Sequence, residues 1–490
     1  MNDRSEVRGQ RSKMRSEVRG LRSEGVRAAA LLLVAAAVLN AQRPAVGPAV
    51  RQFVRSDAAV IALTNARVID GTGAPAREGQ TLVIRDGRIA ALGATGSVAI
   101  PDGAETIDLA GKSVLPGLVM LHEHLYYPTG PGMYGQLALS FLRLYLAGGV
   151  TTMRTGGNLN GYADINFKRG IDSGVVAGPA MDATAPYLNG GPFPLRQVRI
   201  LKGPDDARKM VAYWADEGAT SYKAYMQITR AELGAAIEEA HKRGLKVTGH
   251  LCSVTFAEAA KLGIDNLEHG FIVATDFAPN KQADVCSNSR GFEAVDPAGA
   301  AARELIRELV ARRVAITSTL TVFETSVPGR PVPPGLDVLV PQLREQFERQ
   351  HAAIARQTDT TRLAGLKKEM AMELAFAKAG GLLVAGTDPT GYGGVIPGYS
   401  NQRQLELLVE AGFTPLEAIS IGTLNGAKYL GRDAQIGTIA VGKQADLMVV
   451  TGNPAARIGD VRNVEIVFRL GVAYDPKKLI ESVKGSVGLY

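Results

Sequence analysis

The sequence predicts an α/β fold, a TIM-like (β/α)8 barrel with a small β-sandwich domain built from both chain termini. In the middle of the chain, eight short β-like runs alternate with helical stretches, which is the pattern of such a barrel. Both ends of the chain are rich in β signals. At 490 residues, the chain also exceeds one ordinary hydrophobic core. Its composition, 46% hydrophobic and 21% charged, is that of a globular protein.

The barrel is predicted over residues 116–430. Its eight strands are expected at Leu115–Leu121, Val150–Arg154, Ala180–Thr184, Ser221–Tyr225, Lys246–Thr248, Ile264–Glu268, Val314–Thr319 and Leu382–Gly386. The helical stretch Thr229–Arg243 opens with a capping box, Thr229-Arg-Ala-Glu232, and ends before Gly244.

The two parts of the sandwich are predicted at residues 57–115 and 431–490. In the first part, Thr81-Leu-Val-Ile-Arg-Asp-Gly-Arg-Ile-Ala-Ala-Leu indicates a hairpin that turns at Asp86-Gly87. The second part repeats this style, and it includes the run Val464-Glu-Ile-Val-Phe-Arg-Leu-Gly-Val.

The N-terminus has the parts of a secretory signal peptide, predicted over residues 1–41 and followed by a linker over 42–56. Eight basic residues and four acidic ones precede the apolar run Ala28–Leu39. The sequence Arg-Ser-Glu-Val-Arg-Gly occurs at 4–9 and again at 15–20, with Met14 just before the second copy. Translation could therefore begin at Met14. We therefore expect an exported protein, periplasmic or extracellular.

Charge and cysteine content limit the partners. The formal net charge is +7, but the first 27 residues carry +4 of it, and no basic stripe interleaved with aromatics predicts nucleic-acid binding. No stable membrane span is expected after signal removal, because the apolar run is too short. The two cysteines, Cys252 and Cys286, are open to pairing or to remaining unlinked thiols. The sequence leaves the oligomeric state open.

The residues with the clearest chemistry are His122 and His124. They end the apolar run Leu115-Pro-Gly-Leu-Val-Met-Leu-His-Glu-His, and side chains two apart on a strand point to the same side. One metal ion can therefore take both imidazoles. Four more candidate ligands stand at or just after the ends of later predicted strands: Lys223, His250, His269 and Asp388. Because active sites of such barrels lie at the carboxyl ends of the strands, these residues predict a two-metal site.

Lys223 is an unusual candidate, because an ammonium group only donates hydrogen bonds. Burial favours the neutral amine, which can react with carbon dioxide to form a carbamate. The two carbamate oxygens could then bridge two metal ions. A plain lysine in a salt bridge is the alternative.

Several motifs together resemble the amidohydrolase superfamily, in its imidazolonepropionase-like group with the metal-dependent prolidase-like dipeptidases and ochratoxin-type amidases. The resemblance runs from about residue 60 to 475. Its motifs are the histidine-pair run quoted above, Gly149-Val-Thr-Thr-Met-Arg-Thr-Gly-Gly, Tyr222-Lys-Ala-Tyr, Thr248-Gly-His, Leu267-Glu-His-Gly, Ala385-Gly-Thr-Asp, Thr423-Leu-Asn-Gly-Ala-Lys-Tyr-Leu-Gly and Gly442-Lys-Gln-Ala-Asp-Leu. One departure is that Val119-Met-Leu precedes the histidine pair where the family usually has an acidic residue.

The resemblance implies two divalent ions, expected to be Zn2+. His122, His124 and Asp388 would hold one ion, His250 and His269 the other, and N6-carboxylated Lys223 would bridge them. The implied reaction is hydrolysis of an amide C–N bond in dipeptides or N-acyl amino acids through a metal-bridging hydroxide, with Asp388 as general base and then acid. Tyr225 would stabilise the oxyanion and contact substrate. Arg154 ends a strand and would either bind a substrate carboxylate or brace a loop.

Two other functions remain open. One is a cyclic-amide hydrolase or mononuclear deaminase of imidazolonepropionase type, although such deaminases carry a glutamate shortly after the fifth-strand histidine and His250-Leu-Cys-Ser has none. The other is an exported barrel that binds metal or ligand without catalysis.

Overall fold

The computed structural model describes residues 45–130, 133–192, 197–287, 289 and 291–489. The predicted signal peptide therefore lies outside the described residues. The strands are β1 Val54–Ser56, β2 Val60–Val68, β3 Arg77–Arg85, β4 Arg88–Ala94, β5 Glu105–Asp108, β6 Lys112–Pro116, β7 Leu118–Glu123, β8 Tyr126–Gly130, β9 Met133–Gln136, β10 Val150–Thr155, β11 Ala180–Asp182, β12 Ser221–Ala224, β13 Lys246–Gly249, β14 Asn266–Glu268, β15 Ala315–Ser318, β16 Leu383–Ala385, β17 Leu447–Thr451, β18 Val464–Arg469 and β19 Val472–Tyr474.

Helices lie mainly between the strands of the central region. The α-helices are Pro48–Arg51, Ala138–Ala147, Ala163–Asp172, Pro204–Asp216, Arg230–Lys242, Phe256–Leu262, Ala300–Ala311, Leu320–Glu324, Pro341–Ala355, Thr361–Lys378, Tyr399–Glu410, Pro415–Ser420, Gly426–Tyr429 and Pro476–Glu481. The predicted capping box is confirmed, because Thr229 and Glu232 each accept the other's backbone N–H at the start of Arg230–Lys242.

Both ends of the described chain contribute to one nine-stranded sheet. Its order is β1-β19-β18-β17-β6-β2-β3-β4, and β5 also pairs with β2. The central partners are far apart in sequence: β17 pairs antiparallel with β6, so that Val449 lies opposite Val114. A shared sheet of the two termini was predicted, whereas its arrangement as a sandwich stays a prediction.

The hairpin between β3 and β4 turns where the sequence predicts. Arg85 lies opposite Arg88. Asp86 and Gly87, between them, have φ of 50° and 80°. Positive φ at both central residues is the geometry that Asp-Gly favours in a two-residue hairpin turn.

The predicted linker is partly structured. The helix Pro48–Arg51 and β1 fall within residues 42–56, and β1 pairs with β19. Val50 and Phe53 are buried in a cluster with Tyr474 and Leu479. Burial of these apolar side chains explains why the segment is ordered.

The eight predicted barrel strands are all present, and all run parallel. They form a sheet of three, β11-β10-β7, and a sheet of five, β12-β13-β14-β15-β16. An isolated parallel bridge, Thr184 to Ser221, joins the two sheets at one side. At the other side, the backbone N–H of Asp388 donates to the carbonyl oxygen of His122 (3.0 Å). The hydrogen-bond ladders of the two sheets do not join into one closed sheet. The structure therefore shows an α/β fold of parallel strands and helices, and closure into a barrel stays a prediction.

Two further features bear on the predictions. Cys252 and Cys286 form a disulfide, with their Cα atoms 4.7 Å apart, which decides between the two alternatives that the sequence left open. Among the described residues, no helix has the length and apolar character needed to cross a bilayer.

Candidate metal centre and active site

One cavity at the carboxyl ends of the parallel strands collects the predicted ligands. It is lined by all six of them and by Tyr225: His122, His124, Lys223, His250, His269 and Asp388. They lie in β7, β12, β13, β14 and β16 or within three residues of the ends of these strands. The structure therefore brings together residues that are up to about 270 positions apart in sequence. This is possible because the carboxyl ends of parallel strands lie at the same end of the sheet.

His122 is oriented by a buried carboxylate. Its Nδ1 lies 2.7 Å from Oε2 of Glu268. Because an ionised carboxylate only accepts hydrogen bonds, Nδ1 carries the proton. The lone pair of Nε2 then faces the cavity, 3.4 Å from Nζ of Lys223 and 3.7 Å from Oδ1 of Asp388. This is the tautomer that a metal ligand needs.

His124 is held in the same way. Its Nδ1 donates to the carbonyl oxygen of Gly157 (3.3 Å), and its Nε2 lies 3.1 Å from Oδ1 of Asp388. Ligand atoms of His122, His124 and Asp388 all lie within 4.8 Å of one another. Two imidazole nitrogens and a carboxylate oxygen at this spacing suit a divalent cation.

The other two histidines stand beside this group. The rings of His250 and His269 are 4.4 Å apart, and the rings of His122 and His269 are 4.5 Å apart. Nδ1 of His269 makes a hydrogen bond with the Thr319 hydroxyl (2.9 Å) and lies 3.6 Å from Oδ2 of Asp388. Asp388 thus reaches both histidine groups.

His269 and Asp388 have an uncommon backbone. Their φ angles are 68° and 55°, in the left-handed region that L-residues other than glycine rarely adopt. Each residue directly follows a parallel strand or its turn. Such conformations cluster at functional sites, where the surrounding structure enforces them.

Burial sets the charge state of the histidines. It lowers the pKa of His122 to about 4, with the nearby Lys223 charge acting in the same direction. It also lowers the pKa of His124 and of His269. Although burial alone would raise the pKa of Asp388, the neighbouring histidines hold it well below its usual value. At neutral pH the site therefore offers neutral imidazoles and an ionised carboxylate, which are the forms that bind metal.

Lys223 is buried, at 1% exposure, and burial lowers its pKa to about 8. An appreciable fraction of the amine is then neutral near pH 7.5, which is the form that adds carbon dioxide. Its nearest carboxylate oxygen, Oε1 of Glu268, is 3.9 Å away, too far for a hydrogen bond.

Arg154 was predicted either to bind a substrate carboxylate or to brace a loop, and the structure places it outside the residues that line the cavity. Arg154 is 1% exposed, and its Nη2 donates to Oε1 of Glu268 (2.7 Å) and to the carbonyl oxygen of Leu121. A buried guanidinium needs a counter-charge, and Glu268 supplies it. Arg154 and Glu268 therefore form an ion pair behind His122.

Two glycines leave room for the His122 side chain. A Cβ added at Gly156 would lie 2.5 Å from Cδ2 of His122, and one at Gly386 would meet the backbone nitrogen of His122 at 2.7 Å. Real Cβ atoms do not approach so closely. Glycine at both positions is therefore part of how the ring is placed.

Sequence reasoning missed the aromatic rim of the cavity. Tyr126, Tyr134 and Tyr187 line it beside Tyr225. The hydroxyls of Tyr126 and Tyr187 are 2.5 Å apart, and the Tyr225 ring lies 4.6 Å from the Tyr187 ring and 5.1 Å from the His250 ring. Tyr126 begins the hairpin β8–β9, two residues after His124. Its closeness to the histidine pair in sequence could have indicated that it lines the cavity.

The sequence profile of the amidohydrolase family matches residues 113–480. The chain belongs to the amidohydrolase family. The match begins in β6 and ends in the last helix, so it includes every predicted ligand.

Solved structures share the fold across most of the chain. A Bifidobacterium longum structure assigned to the prolidases is 26% identical, with a TM-score of 0.65, over 86% of this chain and 98% of that one. A Xaa-Pro dipeptidase with bound methionine in its active site is 21% identical, with a TM-score of 0.65, over 85% and 100%. These similarities place the α/β fold in the amidohydrolase superfamily.

Similarity to curated proteins is local. An enamidase from Eubacterium barkeri is 37% identical over 84 residues, which is 17% of this chain and 21% of that protein. The chain spans about an eighth to a fifth of the length of the curated relatives it matches. Together with the family match, these relatives support the prediction of a hydrolase that acts on carbon–nitrogen bonds.

Proposed function

We propose that the protein is a binuclear metal-dependent amidohydrolase that cleaves an amide C–N bond in dipeptides or N-acyl amino acids. The observation that carries this proposal is the single cavity lined by all six predicted ligands. His122, His124 and Asp388 would hold one ion, His250 and His269 the other, and carboxylated Lys223 would bridge them. Zn2+ is the expected metal, because imidazole and carboxylate ligands suit it.

Bound divalent ions would polarise the scissile carbonyl and lower the pKa of water. The protein's own groups move the protons. Asp388, kept ionised by the histidines around it, accepts a proton from the attacking water and delivers it to the leaving amine. The Tyr225 hydroxyl donates a hydrogen bond to the substrate oxygen on which charge develops.

The proposal extends to the fold and the compartment. The two parallel sheets would close into a (β/α)8 barrel, and the sheet shared by both termini would form the β-sandwich. Export to the periplasm or the extracellular space is supported by the Cys252–Cys286 disulfide, since disulfides persist mainly in oxidising compartments.

Metal analysis combined with a panel of dipeptides and N-acyl amino acids tests the function. We expect two ions per chain and turnover of some of these amides. One ion per chain would favour the mononuclear deaminase or cyclic-amide hydrolase. Two tightly held ions without turnover of any amide would favour a non-catalytic binding protein.

The bridging role of Lys223 has its own test. Lys223→Ala should lose at least one ion per chain and nearly all amidase activity, and reloading the wild-type apoprotein with metal should require bicarbonate. Lys246→Ala is a matched control, because Lys246 begins the neighbouring strand β13 at its amino end and its ammonium binds the Tyr429 carbonyl. Unchanged metal content and activity in Lys223→Ala would exclude the carbamate.

A further inference from the structure

A second, larger cavity of about 540 Å³ opens beside the metal centre. The segments that follow four consecutive strands, β12 to β15, all contribute to its wall, for example with Met226, Cys252, Ile272 and Phe323. Segments that follow parallel strands emerge at the same end of the sheet as the predicted ligands. The cavity therefore lies at the active-site end of the fold.

The wall residues stand next to the predicted ligands in the chain. Met226, Cys252 and Ile272 come three, two and three residues after Lys223, His250 and His269, respectively. In space, the Phe323 ring is 6.1 Å from the His269 ring. The cavity wall thus contacts the metal centre through the Phe323 and His269 rings.

Apolar side chains and the disulfide line one part of the cavity, and hydroxyl and charged groups line the rest. Ile272, Phe292 and Leu366 are among the lining residues, and the last two are buried. Two charged side chains also line it, Arg362 and Glu293, and both are exposed. Because the charged side chains are exposed and of opposite sign, whereas Phe292 and Leu366 are buried, the apolar part of the wall favours an apolar group over an ion.

We propose that this cavity binds a large apolar group of the amide substrate, such as an aromatic side chain next to the scissile bond. This inference rests on the proposed function and narrows its substrate class. The volume falls in the range of small-molecule sites, about 300–1,000 Å³. The disulfide fixes the wall, because Cys286 also lines the cavity and is bonded to Cys252.

Gly365 allows the cavity to be filled with little risk to folding. It lines the cavity from the helix Thr361–Lys378, and a Cβ added there meets nothing within 4 Å. Replacing glycine within a helix also raises helix propensity. Gly365→Trp should therefore place an indole in the cavity. Ala364→Trp is the matched control, because Ala364 precedes it on the same helix and is exposed.

The test compares kcat/KM for Gly-Phe, Phe-Gly and Gly-Gly in the metal-loaded wild type and both variants. The wild type should prefer one of the phenylalanine dipeptides to Gly-Gly, and Gly365→Trp should lower that preference by about tenfold or more. Ala364→Trp should retain the preference. A wild type without the preference, or a Gly365→Trp variant that keeps it, would overturn the inference.

Calorimetric titration with N-acetylphenylalanine, a compound with the same aromatic group, measures binding to the cavity without requiring catalysis. It therefore tests the cavity independently of the proposed function. If neither dipeptides nor N-acyl amino acids are hydrolysed, the proposed function fails, and the cavity is judged by this titration alone. Binding by the wild type that is lost in Gly365→Trp but kept in Ala364→Trp supports the cavity. No binding by the wild type, or equal binding by both variants, contradicts it.

Discussion

Glu268→Gln changes one atom of the buried network behind the metal centre. Glu268 is completely buried and accepts hydrogen bonds from His122 Nδ1 and Arg154 Nη2, both at 2.7 Å. Glutamine keeps the shape of the side chain, and its oxygen can still accept from Arg154. Its NH2 group, however, takes the place of the carboxylate oxygen that accepts from His122 Nδ1 in the wild type, so two donors would face each other.

The magnitude follows from the tautomer of His122. With a donor facing Nδ1, the ring is favoured to carry its proton on Nε2, the atom 3.4 Å from Lys223 Nζ and 3.7 Å from Asp388 Oδ1. The lone pair that a metal ion would use is then lost. Removal of such an orienting partner costs about 10–100-fold in metal affinity, or roughly 1.4–2.7 kcal/mol at about 1.4 kcal/mol per factor of ten.

A competition titration of Zn2+ against a chromogenic chelator measures this loss, and thermal unfolding of the apoprotein measures stability. Asp446→Asn is the control, since Asp446 is also a buried carboxyl group but lies beside the sheet of the termini, where it accepts from Leu470 N–H. If Glu268→Gln lowers the unfolding temperature but binds Zn2+ as tightly as the wild type, Glu268 is only a structural brace and the reasoning fails.

Three further outcomes are expected. Burial raises the pKa of Glu373 and of the neighbouring buried Glu369, so the folded protein holds protons that the unfolded chain releases above about pH 4.5, and its unfolding free energy should fall as the pH rises from there. Glu373→Gln should reduce this decline in denaturant titrations at pH 4.5 and 7.5, and an unchanged slope would contradict it. Cys286→Ser removes a disulfide that spans 34 residues and restricts the unfolded chain, so the free energy of unfolding in urea should fall by about 4 kcal/mol. A loss below about 1 kcal/mol would show that restricting the unfolded chain is not how this disulfide stabilises the fold. Gly156→Ala should displace the His122 ring and weaken Zn2+ binding with little change in far-ultraviolet circular dichroism; wild-type affinity would show that the ring is not confined there.

The sequence was sufficient to predict that the six candidate ligands come together in one cavity, because their positions depend on periodicity. His122 and His124 share a strand face by alternation, and Lys223, His250 and His269 follow short β runs whose carboxyl ends must meet in a parallel sheet. These arguments need only local pattern and topology. The eight strands were found for the same reason.

Features that depend on packing could not be predicted. Arg154 shows no outward sign that its partner is Glu268, 114 residues away, and the tyrosine rim comes from a hairpin and a loop whose paths depend on their neighbours. The disulfide also stayed open, because pairing depends on a Cα distance that spacing alone does not give. A charged residue within a buried strand, such as Glu268, was a local signal that could have pointed to this ion pair.

The sheet shared by both termini constrains how the protein is made. The hydroxyl of Ser113 in β6 donates to the carbonyl oxygen of Gly452, 339 residues later. At synthesis rates of about 5–20 residues per second, a ribosome needs roughly 20 seconds to a minute to translate that interval. Throughout this time β6 lacks its partner β17, and an unpaired apolar strand edge invites association with other chains. The free edge of β6 is therefore the part of the sheet most open to association between nascent chains until β17 has been made.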